Sequence, residues 1–200
     1  LACAAARPAL DGLDASAIDQ VIVGNVLGAG QGMNIARQVG VRVGLPPEVP
    51  AFTVNMMCGS GLQAVRLAAQ AIRAGEARAI LCGGTESMSG SPYLVPRARQ
   101  GLKLGDAAMV DSILRDGLID AFDGRHMGVL VEAMAASRGI GRRRQDEWAV
   151  RSQSRCAAAE ASGAFNDERV PLDGLDVDEH PRPGATLDGL ARLGGAFSPD

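Results

Sequence analysis

Phe52-Thr53-Val54-Asn55, then Met56-Met57-Cys58-Gly59-Ser60, then Gly61-Leu62-Gln63-Ala64-Val65-Arg66-Leu67-Ala68-Ala69-Gln70-Ala71-Ile72-Arg73-Ala74 and, beyond Gly75, Ala79-Ile80-Leu81-Cys82 change texture in an informative order. The first is a short β-prone run. The long stretch is rich in helix formers, apolar on most sides and stopped by Gly75, which predicts a buried helix. The last is a short apolar run closed by Gly83 and Gly84, which predicts a buried strand. Strand, helix and strand in this order form the crossover unit of a parallel sheet. Cys58 falls at its first strand-to-helix junction.

The same pattern extends towards the amino terminus. Val21 to Val26 is an apolar run broken by Gly24 and followed by Gly28, Gly30 and Gly32, as expected for another buried strand leading into a loop. Asn34 to Val43 predicts a helix, and Pro46, Pro47 and Pro50 punctuate the next turn. Beyond about Ser87, Ser, Gly and Pro accumulate through Pro96, and later segments read as helices joined by polar loops. The expected division is an α/β region over 1–87 and a subsidiary loop domain over 88–200. The clearest later helix is Arg143 to Ala161, closed by Gly163, with Trp148, Val150 and Ala157 to Ala159 available for packing. Val170 to Gly184, with Pro171, Pro181, Pro183 and several acidic residues, predicts an extended loop.

Composition agrees with an α/β protein. Of 200 residues, 46% are hydrophobic, only 3% are aromatic and 26 are Gly, favouring an Ala, Val, Leu and Gly core over an aromatic-rich sandwich. The net charge of -3 is spread along the chain, and the basic run Arg142 to Arg144 is followed at once by Asp146 and Glu147, so neither a nucleic-acid nor a membrane partner is expected. No apolar run approaches the roughly 20 residues that span a bilayer, and a soluble cytoplasmic protein is expected. The cysteines Cys3, Cys58, Cys82 and Cys156 lack any paired short spacing, which argues against a zinc site or disulfide framework. The chain opens on Leu1 rather than Met and closes on Phe197-Ser198-Pro199-Asp200, where a turn should lead into further structure; a fragment is the expectation.

A reactive cysteine needs a stabilised thiolate and open access, and the end of a strand facing a helix amino terminus offers both. Gly59-Ser60-Gly61 would let a thioester approach the sulfur closely, and free N–H groups there can meet a developing oxyanion. Cysteine is also a common buried small hydrophobe, so the residues alone leave Cys58 divided between nucleophile and core. Cys82 inside an apolar strand, Cys156 inside a helix and Cys3 in a frayed start read as structural.

Val54-Asn55-Met56-Met57-Cys58-Gly59-Ser60-Gly61-Leu62-Gln63-Ala64-Val65 resembles the thiolase signature around the nucleophilic cysteine. Gly28-Ala29-Gly30-Gln31-Gly32-Met33-Asn34-Ile35-Ala36-Arg37-Gln38 and Gly83-Gly84-Thr85-Glu86-Ser87-Met88-Ser89 also resemble segments of that family, in the family's order. The resemblance implies the first half of a layered αβαβα fold, lacking its opening strand, with an inserted loop domain that holds much of the CoA. It implies transfer of an acyl group between CoA thioesters through acyl-Cys58, either thiolysis of a 3-oxoacyl-CoA or Claisen condensation, with CoA and acyl-CoA as substrates and no cofactor or metal. Fatty acid metabolism and a dimer or tetramer follow from the same resemblance, the oligomer through the loop Arg97 to Lys103.

Within the loop domain, Asp116-Gly117-Leu118-Ile119-Asp120-Ala121-Phe122 and His126-Met127-Gly128 resemble the stretch lining the pantetheine and acyl pocket, in a form similar to short-chain acetyl-CoA acetyltransferases. That makes His126 a candidate hydrogen-bonding group and Met127 and Leu118 candidate apolar walls. Arg182, before Pro183-Gly184-Ala185-Thr186-Leu187-Asp188, matches an arginine at the nucleotide end of CoA, and Phe197 an aromatic position beside pantetheine. Gly189 stands where relatives often carry serine, and the stretch between Pro171 and Pro181 is shorter than usual.

The family's Gly-His-Pro motif, its second glycine-flanked cysteine and its asparagine-containing oxyanion motif do not occur in these residues. The residues at hand are therefore expected to be inactive alone, because losing a general base costs on the order of 10² to 10⁴ in rate. A ketoacyl synthase type of condensing enzyme and a non-catalytic CoA-binding protein are the alternative readings.

Overall fold

A computed structural model describes residues 1–172 and 174–197. The expectation of a terminal turn over Ser198-Pro199-Asp200 lies outside the described residues. The chain divides into two compact units, Leu1–Leu118 and Ile119–Asp200. Residues 88–118, grouped by texture with the later part of the sequence, belong to the first unit, where Ser112 Oγ donates to Pro92 O at 2.5 Å.

The first unit contains α1 (Ala2–Ala9), β1 (Gln20–Gly24), α2 (Ile35–Arg42), β2 (Ala51–Val54), α3 (Ser60–Arg73), β3 (Ile80–Gly84) and the short antiparallel pair β4 (Tyr93–Leu94) and β5 (Val110–Asp111). β1 is central in a parallel sheet of order β2-β1-β3, with Val21 beside Ala51 and Leu81. The β2-α3-β3 crossover read from the sequence is thus present, with β1 filling the gap it leaves.

A central parallel strand is covered on both faces, which explains the consecutive apolar residues Val21, Ile22 and Val23. Val21 and Val23 pack into one cluster with Ala36 of α2, Ile18, Leu45 and Val49. Ile22, pointing the other way, packs with Ala64 and Ala68 of α3. The result is helix, sheet and helix in three layers.

Two elements depart from expectation. The opening segment, expected to be frayed, is helix α1; it lies beside α2, with Ala6 buried and Cys3 half-buried. Helix α3 reads as buried in the sequence, yet only Ser60, Ala64 and Ala68, spaced one helical turn apart, are fully buried, with Leu67 packing partly against the same cluster. Leu62 remains 75% exposed, and Val65 and Ile72 are exposed with it.

The second unit holds α4 (Met127–Ser137), α5 (Arg142–Ala161) and the short α6 (Leu187–Ala191). α5 and α6 pack together, and Arg142 donates from Nη2 to the Leu190 and Leu193 carbonyls at the end of α6, at 2.6 and 3.0 Å. Trp148, expected to pack, is 67% exposed instead, with the Arg151 guanidinium over its ring at 4.2 Å. No helix among the described residues is long and apolar enough to cross a membrane.

Candidate active site

The turn carrying Cys58 is built by its neighbours. As β2 ends, Asn55 Oδ1 accepts the Met57 N–H at 2.9 Å, and Met57 takes a left-handed φ of 51°. Ser60, only 4% exposed, accepts the Met56 N–H on Oγ at 2.9 Å and donates its hydroxyl to Met57 O at 2.6 Å. Pinned on both sides, the turn leaves Cys58 exposed at its apex, immediately before the first turn of α3. The sulfur is thus open to an approaching group at the amino end of a helix.

Glycines let the helix sit so close to the strand ends. A Cβ on Gly24 would come within 2.4 Å of Ser60 C and 2.6 Å of Gly61 N, and one on Gly84 within 3.1 Å of Gly61 Cα. Any larger residue at Gly24 would therefore push α3, and Cys58 with it, off the sheet.

Cys58 opens onto a cavity of about 370 Å³ whose walls include Leu27, Ile113, Gly117 and Leu118. Leu118 ends a single π-helical turn, Leu114–Leu118, a geometry frequent at functional sites. Cys58 and Leu118, both singled out in the sequence, thus share one cavity. Sequence reasoning missed Asn25 and Glu86 on the same wall. Glu86 accepts from Asn25 Nδ2 at 2.8 Å and from the Val26 and Leu27 N–H groups at 2.9 and 3.0 Å. A carboxylate just beyond the glycine-terminated strand β3 was the signal that could have drawn attention to it.

In the second unit, His126 is the N-cap of α4. Its Nδ1 accepts the Gly128 N–H at 3.0 Å, which places the ring proton on Nε2. The preceding loop is set by Asp120, whose Oδ1 accepts the Phe122 and Asp123 N–H groups at 2.7 and 2.9 Å. Side-chain hydrogen bonding from Arg125, reinforced by its backbone N–H, holds the Asp123 carboxyl below the ordinary carboxylate range. Phe197 stacks on His126 at 4.9 Å between ring centroids. Gly128 makes this possible, since a Cβ there would fall 2.4 Å from the Phe197 ring. Met127 begins α4 beside this pair. Arg182 turns Nη1 back on its own loop, donating to the Glu179, His180 and Pro181 carbonyls at 2.8, 2.7 and 3.1 Å, while its N–H bonds Gln153 Oε1 at 2.7 Å.

The remaining cysteines differ from Cys58. Cys82 packs against the Ile22 cluster, and burial pushes its thiol above the ordinary range. Cys3 and Cys156 are half-buried in α1 and α5. Among the described residues, no group of three or more His, Cys, Asp or Glu is arranged to hold a metal ion.

The sequence profile described as "Thiolase, N-terminal domain" matches residues 4–200. The chain belongs to the thiolase family. It is 48% identical over 198 residues to an acetyl-CoA acetyltransferase of Pseudomonas aeruginosa, covering 94% of this chain and 50% of that protein. A second acetyl-CoA acetyltransferase, from Chromobacterium violaceum, is 48% identical over 192 residues, covering 92% of this chain and 49% of the relative. Human mitochondrial 3-ketoacyl-CoA thiolase in complex with CoA superposes with a TM-score of 0.93 at 41% identity, covering all (100%) of this chain and 52% of the human one. A thiolase from Ascaris suum in complex with coenzyme A gives 0.92 at 35% identity, with 100% and 53% covered. This thiolase chain therefore spans about half the length of the relatives it matches, as their covered shares of 50% and 49% state.

Proposed function

We propose that the protein to which this chain belongs transfers acyl groups between CoA thioesters, with Cys58 as the acyl acceptor and acetyl-CoA as the preferred substrate. The observation that carries the reading is the address of Cys58: exposed, at the amino end of α3, on the wall of a largely apolar cavity. The names and CoA-bound states of its relatives support the same chemistry.

In the acylation step the Cys58 thiolate attacks the thioester carbonyl carbon. The tetrahedral adduct then collapses, the carbonyl carbon–sulfur bond to CoA breaks, and CoA leaves as a thiolate that takes up a proton. Leu118 bounds the acyl group, while His126, through Nε2–H, together with Met127 and Phe197, is assigned to the thioester and pantetheine arm, and Arg182 to the nucleotide end. CoA enters as substrate, and the reading invokes neither a metal nor an organic cofactor. The base that deprotonates Cys58 is assigned to the portion of the protein outside these residues. A cytoplasmic role in fatty acid metabolism, and a homo-oligomer formed through the Arg97 to Lys103 loop, complete the proposal.

Full-length protein incubated with labelled acetyl-CoA, digested and mapped by mass spectrometry, should carry one acetyl group on Cys58. Cys58→Ala should abolish the label and reduce turnover by at least about 10³-fold. Label on another cysteine, or turnover that survives the substitution, would overturn the assignment.

A further inference from the structure

Among the described residues lining the Cys58 cavity, Glu86 is the one carboxylate. Its oxygens are occupied: Oε1 accepts from Asn25 Nδ2 at 2.8 Å and from the Leu27 N–H at 3.0 Å, and Oε2 accepts the Val26 N–H at 2.9 Å. All these donors lie on the turn that follows β1. Asn25, itself 5% exposed, also donates to Thr85 O at 3.0 Å, fastening the turn to the chain next to Glu86. A carboxylate suits the position because it is acceptor-only. An amide would set its NH₂ against one of the backbone N–H groups.

The turn contributes Asn25, Val26 and Leu27 to the cavity wall, and Leu27, 6% exposed, has its Cδ2 3.5 Å from where a Cβ on Gly117 would stand. Gln31 Nε2 donates to Leu27 O at 2.7 Å and fixes the carbonyl side of the same residue. The wall formed by Leu27 and Gly117 is therefore only as well defined as the grip of Glu86 on residues 25–27. Three hydrogen bonds from the one turn fill most of the roughly four acceptor positions of the carboxylate, the geometry of a brace for residues 25–27.

Resting on the reading of Cys58 as acyl acceptor, we propose that Glu86 is a positioning residue: its carboxylate holds Asn25, Val26 and Leu27 as the wall that limits acyl-chain length and takes no part in proton transfer. The test uses full-length protein and its Glu86→Gln and Asn25→Ala variants, the second of which removes the Asn25 amide with its bonds to Glu86 and Thr85 O, leaves the two backbone donors to Glu86 in place, and still reports if the first fails to fold. Rates of acetyl and hexanoyl transfer from the CoA thioesters to Cys58 are measured by single-turnover mass spectrometry, together with the pH dependence of Cys58 alkylation by iodoacetamide. The acetyl-to-hexanoyl rate ratio should fall about tenfold in Glu86→Gln and several-fold in Asn25→Ala, with the alkylation midpoint unmoved in both. An unchanged ratio in the folded variants would overturn the wall, and a displaced alkylation midpoint in Glu86→Gln alone would make Glu86 a proton acceptor instead. Wild-type protein that acquires no acyl group would sink the acyl-acceptor reading itself, an outcome distinct from normal wild-type acylation with unaltered variants.

Discussion

At Cys58 the backbone does much of the chemical preparation. Asn55 and Ser60 hold the turn from either side, Met57 accepts a left-handed backbone, and the sulfur is left exposed beside the amino end of α3. Cys82 has the opposite surroundings: it packs within the sheet, and burial raises its thiol above the ordinary range, so it stays protonated where an exposed thiol begins to ionise. Limiting iodoacetamide at pH 8 should therefore modify Cys58 first and Cys82 last, as read by peptide mapping over time. Modification of Cys82 at the rate of Cys58 would contradict the packing around β3.

At the scale of elements, α4 and β3 each depend on one side chain at their start. His126 caps α4 through Nδ1 and also offers its ring to Phe197, and substitution can separate these roles. Both His126→Asn and His126→Ala lose the ring contact with Phe197, but Asn retains a capping acceptor, so the Ala variant should be the less stable of the two by about 0.5–2 kcal/mol in urea unfolding. If the ring contacts thioester or pantetheine, both variants should weaken acyl-CoA use equally; restoration by Asn would reduce His126 to a cap. At the start of β3, Asp19 Oδ2 accepts the Arg78 and Ala79 N–H groups at 2.6 and 3.1 Å, and these bonds lower its carboxyl below the ordinary value. A lowered carboxylate contributes stability above its unfolded value near 3.9 and loses it as pH falls through the folded value. Asp19→Asn should thus be less stable than wild type at pH 7, and the difference should close below about pH 4 in parallel denaturation curves. A gap that persists to the lowest pH would rule out this linkage.

For the whole molecule, the exposed face of α3 is the decisive feature. The sheet covers Ser60, Ala64 and Ala68, while Leu62, Val65 and Ile72 stay exposed, as does Phe52 of β2. Apolar exposure of this kind marks an interaction surface or an aggregation liability. The chain expressed alone should bind 8-anilinonaphthalene-1-sulfonate and scatter light as its concentration rises, and Leu62→Glu should reduce both. A monodisperse chain that ignores the dye and melts in a single sharp transition would contradict this.

The sequence alone determined the β2-α3-β3 crossover, the buried strand at Val21 and the junction that holds Cys58, because neighbouring residues encode strand and helix periodicity and the glycines that end them. Its motifs also pointed to the thiolase family. Tertiary structure decided what depends on residues distant in sequence: β1 between β2 and β3, the packing of α1 beside α2, and the single covered face of α3. It alone revealed Gly24 beneath Ser60, Gly128 beneath Phe197, and Glu86 gripping a turn 60 residues earlier in the chain. Those contacts follow from how the folded layers meet, so no local pattern of hydrophobicity or turn chemistry records them.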